Sequence, residues 1–182
     1  MTESQFDEVW QLHPKEHAEI RMLGRAVKIP RWQQAYGVDY HFSGAVNRAL
    51  PVPVSIAPLL TWSRGAIDER LNGLLLNWYD GNLGHYIGRH RDSITNLVTG
   101  APIVTISFGE GRIFRLRRWR AKSKESPIDF PVTNWSVLVM PFETNRAFTH
   151  EVPASKKWSR RRVSVTLRAF VEEASVAQRH QV

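Results

Sequence analysis

Between Asn72 and Phe170 the chain is written in short extended segments separated by turn residues, and this pattern limits what it can fold into. The candidate strands are Leu74–Tyr79, Gly84–Arg91, Ile103–Phe108, Ile113–Trp119, Ser136–Met140, Ala147–Val152 and Arg162–Phe170. Several short strands of this kind predict a sandwich or jelly roll rather than a parallel α/β sheet. Ahead of them, Thr2 to Leu12 reads as an amphipathic helix with Phe6, Val9 and Trp10 on one side and Pro14 as its stop. Residues 20 to 44 read as short extended pieces punctuated by glycine and proline. A second helix is predicted where Leu59, Leu60, Ile67 and Leu71 keep helical spacing, with Gly65 as its weak point. The class expected is an all-β core with flanking helices.

Composition removes several function classes. No apolar run approaches the roughly 20 residues of a membrane span, so no membrane role is expected. The absence of cysteine excludes disulfides, thiolate metal sites and a cysteine nucleophile. The N-terminus lacks the basic start and apolar middle of a signal peptide, and a cytoplasmic location is the expectation. The net charge of +8 points to a polyanionic partner, nucleic acid first, with solubility as the plain alternative. Clustering favours the partner: Arg112, Arg115, Arg117, Arg118, Arg120, Lys122 and Lys124 form one group, and Lys156, Lys157, Arg160, Arg161 and Arg162 a second.

Strand periodicity isolates three places where chemistry could sit. In Arg162–Arg168 the residues Arg162, Ser164, Thr166 and Arg168 share one face and Val163, Val165 and Leu167 the other. Such a strand borders solvent or lines a polar cavity, and taken alone it favours solvent. Asn77 and Tyr79 are paired in the same way, as are His90 and Asp92, which can both reach one ion. By chance alone, seven histidines among 17 acids would give about 0.7 His-x-acid pairs, so this motif is uninformative by itself. With His150 it makes a two-histidine, one-carboxylate set, which suits iron(II) and oxygen activation, although zinc hydrolases use similar ligands. His13, His17, His41, His85 and His180 are expected at the surface or behind the site.

The order of these motifs is more specific than any one of them. Asn77-Trp78-Tyr79, His90-Arg91-Asp92, Ala101–Gly109, His150 and Arg162–Arg168 follow one another. The series resembles the AlkB family of DNA and RNA dealkylases, whose pattern runs N-x-Y, H-x-D, an API-type strand, H, then R-x-N-x-T-x-R. The resemblance covers about residues 20 to 170 and implies a double-stranded β-helix, the jelly roll. It also implies one Fe(II)/2-oxoglutarate dioxygenase domain over 1–182, with helices and a substrate lid in 1–72, the core in 73–170 and a tail in 171–182. Iron(II) would be held by His90, Asp92 and His150. The co-substrate 2-oxoglutarate would be held by Arg162 at its distal carboxylate and Arg168 near its chelating end, with Asn77, Tyr79, Ser164 and Thr166 beside it. Molecular oxygen would be consumed, and an alkyl carbon on a base would be hydroxylated and released as aldehyde.

Arg31, Tyr40, Phe42 and Ser43 match the region where family members hold the substrate base, and Met22-Leu23-Gly24 the hairpin tip that duplex-acting members push into the stack. The chain departs from the family where Ser93-Ile94-Thr95 replace acids that read the damaged base. Ser164 replaces an asparagine, Trp135-Ser136 stands where Gly-Asp is common, and Trp119 to Phe130 is short. An oxidative nucleic-acid dealkylase, monomeric, is therefore the first reading. A hydroxylase of a small metabolite or protein side chain is the second, and a basic binding module with an inert jelly roll the third.

Overall fold

The computed structural model of the protein describes residues 1–22, 24–42, 45–120 and 125–171. Leu23, Ser43, Gly44, Lys122, Lys124, His180 and the tail beyond Val171 lie outside the described residues. The N-terminal third contains α1 (Glu3–Gln11), β1 (Glu19–Met22), β2 (Arg25–Lys28), β3 (Trp32–Tyr36), β4 (Tyr40–Phe42), β5 (Ala45–Asn47) and α2 (Ala57–Ala66). There follow β6 (Gly73–Asp80), β7 (Ile87–His90), β8 (Ile103–Gly109), β9 (Arg112–Arg118), β10 (Ile128–Val132), β11 (Val137–Met140), α3 (Phe142–Ala147), β12 (Phe148–Val152) and β13 (Arg161–Arg168).

Two antiparallel sheets carry the core. A major sheet has the order β11-β8-β13-β6-β3 and a minor sheet β10-β9-β12-β7, with the hairpins β1-β2 and β4-β5 beside them. Period-2 alternation decides which side chain meets which layer. Leu74, Leu76, Trp78, Val163, Val165 and Leu167 face outward from the major sheet and pack against Val9 and Trp10 of α1 and Ile56 ahead of α2. The opposite face of the same strands, with Leu75 and Tyr79, meets Phe114, Leu116 and Val152 of the minor sheet. Both faces of the major sheet are thus covered. This overturns the solvent reading of the β13 polar face: Arg162, Ser164, Thr166 and Arg168 are all buried between the sheets.

The predicted strands recur with their ends shifted by a few residues. The second starts at Ile87 rather than Gly84, because Gly81 to Gly84 form a turn closed by Gly84 N–H on Gly81 O, with Gly84 at φ +67°. The first helix is capped as its sequence allows: Thr2 Oγ1 accepts from Gln5 N–H and Gln5 Oε1 from Thr2 N–H. The second is shorter than predicted. It ends at Ala66, and Leu71 is buried by packing on the major sheet rather than as a helical residue. Two elements were not anticipated. β10 contains Asp129 and Pro131, poor strand formers that an edge strand tolerates. α3 is six residues long, too short to display a helical period.

The basic clusters are also less open than their sequence suggests. Arg112 is buried against Glu110, while Arg115 pairs with Asp129, Arg117 with Glu151, Arg118 with Glu125 and Arg161 with Asp7. Arg120, Lys156, Lys157 and Arg160 are exposed and form no ion pair among the described residues. No helix among the described residues is long and apolar enough to cross a membrane.

Candidate active site

β7 and β12 pair so that His90 lies directly opposite His150, both on the inner face of the minor sheet. Asp92 follows the end of β7 and turns into the same space. The ligand atoms of His90, Asp92 and His150 lie within 4.8 Å of one another, the one such group among the described residues. Asp92 Oδ1 is 3.6 Å from His90 Nε2 and 3.9 Å from His150 Nε2. His90 Nδ1 bonds Gly88 O at 2.9 Å, which makes that nitrogen the donor and turns Nε2 toward Asp92. His150 is buried, and burial followed by the neighbouring His90 lowers its pKa to about 3, so its ring is neutral. Burial alone would raise the Asp92 carboxyl, but Arg168 and the two histidines outweigh it and hold it well below the usual carboxylate range. His150 and Asp92 are therefore in the forms a divalent metal requires, with His90 beside them.

The floor of the pocket is the inner face of the major sheet. Register places Ser164 between Asn77 on β6 and Ser107 on β8, and Arg162 between Tyr79 and Gly109. Gly109, at φ +83°, has no room for a side chain because a Cβ would strike Arg161 O and the Phe6 ring. Arg168 donates Nε and Nη2 to Asp92 Oδ2 at 2.9 and 2.6 Å, and its guanidinium lies 4.8 Å from the Tyr40 ring centroid. Arg162 donates Nη2 to Ser107 Oγ at 2.9 Å and lies 4.7 Å from the Tyr79 ring centroid. It is 1% exposed, burial lowers its pKa, and it forms no ion pair among the described residues. Its Nε and Nη1, Arg168 Nη1 and the Tyr79 hydroxyl are buried without hydrogen-bond partners. Orphaned donors of this kind cost about 1–3 kcal/mol each, more when charged. A bound anion with two carboxylates fits them, so the residues present suit both a divalent metal and 2-oxoglutarate.

The residues expected in a lid are distributed unevenly. Tyr40 lines the pocket and its hydroxyl donates to Asp92 Oδ1 at 3.2 Å. Phe42 stacks on Tyr40 with ring centroids 5.4 Å apart but lies outside the pocket lining. Arg31 also lines the pocket, donating Nε to Asn77 Oδ1 at 2.7 Å and Nη2 to Gln33 Oε1 at 3.0 Å. Ser43, expected beside them, lies outside the described residues. Ser93 and Thr95 are exposed and bond each other rather than the pocket.

Sequence reasoning overlooked several participants. Ser107 seats Arg162, and a partner at that place follows only once the register of β8 against β13 is known. The Ser107 backbone is gripped in turn by Trp135 N–H at 2.7 Å and Ser136 O at 2.9 Å. Trp135 adopts a left-handed φ of +66° to make that turn, at a cost of about 1–2 kcal/mol, which explains why glycine is common at this place. Asn145, 1% exposed on α3, bonds the backbone of Asp92 on both sides and carried no motif that would have marked it. Leu138 and Met140 of β11 supply apolar wall.

Comparison with known proteins agrees with this geometry. The 2OG-Fe(II) oxygenase superfamily model matches residues 13–168. The chain is similar to the human DNA oxidative demethylase ALKBH2, 32% identical over 163 residues, covering 85% of this chain and 62% of that protein. The bovine ALKBH2 is 30% identical over 166 residues, covering 85% and 58%. The chain thus spans about three fifths of the length of these relatives. Among solved structures, OsALKBH1 superposes with a TM-score of 0.56 at 16% identity, covering 92% of each chain. A Burkholderia pseudomallei oxidoreductase of the 2OG-Fe(II) oxygenase family superposes with a TM-score of 0.58 at 18% identity, covering 91% of this chain and 76% of that one. At these identities the structural likeness speaks for the jelly-roll fold.

Proposed function

The chain belongs to the 2OG-Fe(II) oxygenase superfamily, and from that membership we propose that it dealkylates nucleic-acid bases oxidatively, using Fe(II), 2-oxoglutarate and molecular oxygen. The observation that carries the proposal is the joint presence of a clustered His-Asp-His set and a buried Arg162 without an ion-pair partner among the described residues in one pocket. His90, Asp92 and His150 would hold the metal, which supplies oxygen activation when bound. Arg162, with Tyr79 at its side, would take one carboxylate of 2-oxoglutarate through its free N–H groups, a fork that matches carboxylate geometry. Arg168, already committed to Asp92, would steady the metal end.

In the balanced reaction 2-oxoglutarate loses carbon dioxide and becomes succinate. One oxygen atom of O2 enters succinate and the other enters the alkyl carbon. A hydroxyalkyl group on a ring nitrogen then breaks its C–N bond, returning the proton to nitrogen and releasing aldehyde. The human and bovine relatives are DNA oxidative demethylases, which supports DNA as the substrate here. Tyr40 and Phe42 form an aromatic pair beside the metal triad that suits a flipped base. The exposed Arg120, Lys156, Lys157 and Arg160 suit phosphates.

A second reading, hydroxylation of a small metabolite or a protein side chain, is favoured by one feature. The residues after Asp92 are Ser93-Ile94-Thr95, which bring no acid to read a cationic base. Succinate and formaldehyde release should be measured with a panel of N-methylated single- and double-stranded oligonucleotides and the matching nucleosides. Turnover on an oligonucleotide well above that on its nucleoside is the expected result. Stimulation by small molecules alone, with no response to any oligonucleotide, would reverse the order of the two readings.

A further inference from the structure

Resting on the metal-triad reading, we infer that Asn145 is a positioning residue that fixes Asp92 at the metal through its backbone. β7 ends at His90, so Asp92 has no strand neighbour to pair with. Its backbone is met instead by α3. Asn145 on that helix accepts from Asp92 N–H through Oδ1 and donates Nδ2–H to Asp92 O, both at 3.1 Å. A side-chain amide offers one acceptor and one donor, as a peptide group does, and here it continues the ladder by one step. Arg91 Nη1 donates to Arg146 O at 3.1 Å and ties the preceding residue to the same helix.

The clasp matters because the Asp92 carboxylate is claimed from elsewhere. Arg168 of the major sheet takes Oδ2 with two N–H groups, and Tyr40 of the lid donates to Oδ1. Both draw the carboxylate toward the major sheet and the lid, whereas the histidines stand on the minor sheet. The backbone clasp opposes that pull. It also comes from the segment that leads into β12, five positions ahead of His150, so one short unit sets the spacing between Asp92 and His150.

The molecule supplies its own control. Asn72 makes the same pair of bonds with Phe170, accepting from its N–H and donating to its carbonyl at 2.8 Å each, at a backbone segment that carries no metal ligand. Mn(II) binding to the full chain, read by electron paramagnetic resonance of the free ion, separates the two clasps. The expected result is one Mn(II) on the wild type, none on His150→Ala, and affinity weakened about tenfold or more in Asn145→Ala, against a change within about twofold in Asn72→Ala. Asn145→Asp keeps the oxygen facing Asp92 N–H and loses the donor, so it should fall between wild type and Asn145→Ala. If Asn145→Ala does not fold, Asn145→Asp decides on the same readout. Saturating metal should restore kcat in the Asn145 variants, since the reacting groups are untouched.

Equal Mn(II) affinity in wild type and both Asn145 variants would overturn the inference while leaving the triad standing. So would equal losses in Asn72→Ala and Asn145→Ala, which would mark a general loss of stability. Equal binding by wild type and His150→Ala would overturn the triad reading and the clasp with it.

Discussion

The floor and the lid of the pocket are held together by opposite means. The floor is three neighbouring strands, β6, β8 and β13, with their charged and polar side chains pinned by register and buried on every side. It keeps Arg162 short of partners in a setting where each missing bond is expensive. On the side where a lid is expected, Arg31 and Tyr40 line the pocket, and both find partners. Arg31 rests on Asn77 and Gln33, and Tyr40 on Asp92. Unsatisfied buried donors select one kind of ligand strongly, whereas satisfied groups and stacked rings accept a range of shapes. The floor thus commits the protein to a co-substrate, and the lid leaves the substrate to be chosen by finer features.

The strongest way to break this contrast is to remove the charge the two regions share. Asp92→Ala should abolish Mn(II) binding and succinate release. It also leaves Arg168 buried without a counterion, which should cost the metal-free protein about 3–5 kcal/mol in urea unfolding. An unchanged unfolding midpoint would show that Arg168 relaxes to solvent and that the floor is less rigid than described.

A smaller effect tests the floor alone. Arg162→Lys keeps the charge and loses the fork, so the KM for 2-oxoglutarate should rise roughly 10- to 100-fold, about 1.5–3 kcal/mol of charged hydrogen bonding. Arg160→Lys, two positions away but exposed, should leave it unchanged. Equal responses would reduce Arg162 to part of a basic run.

The lid should show the smallest effect and the most selective. Phe42→Ala removes the ring stacked on Tyr40, and about 1–3 kcal/mol of base stacking should disappear from the KM for an alkylated oligonucleotide. The requirement for 2-oxoglutarate should not move. A parallel loss in both would mean that lid and floor are one cooperative unit.

The same division decides what the sequence disclosed. Strands of the core were legible because their alternation is set by two packed layers, and His90, Asp92, His150, Arg162 and Arg168 because few residue types do such chemistry in that order. The direction in which the β13 polar face points was not legible, since a strand pattern is identical against solvent and against a second sheet. Leu71 looked helical because burial, not helix formation, produced its spacing. β10 was hidden by Asp129 and Pro131, and Asn145 by being a lone amide on a six-residue helix. The arginine-rich run around Arg115 and Arg117 looks like open charge in the sequence because its partners Asp129 and Glu151 are 14 and 34 residues downstream.

One arrangement on the floor bears on how the protein is made. Arg168 and Tyr40 already engage both oxygens of Asp92, so the carboxylate that would meet the metal has a counterion built into the last strand of the core. A buried carboxylate without such a partner would penalise the folded state until an ion arrived. Here a newly synthesised chain can close its two sheets before any iron is supplied. Metal binding is then not needed to balance the buried charge of Asp92.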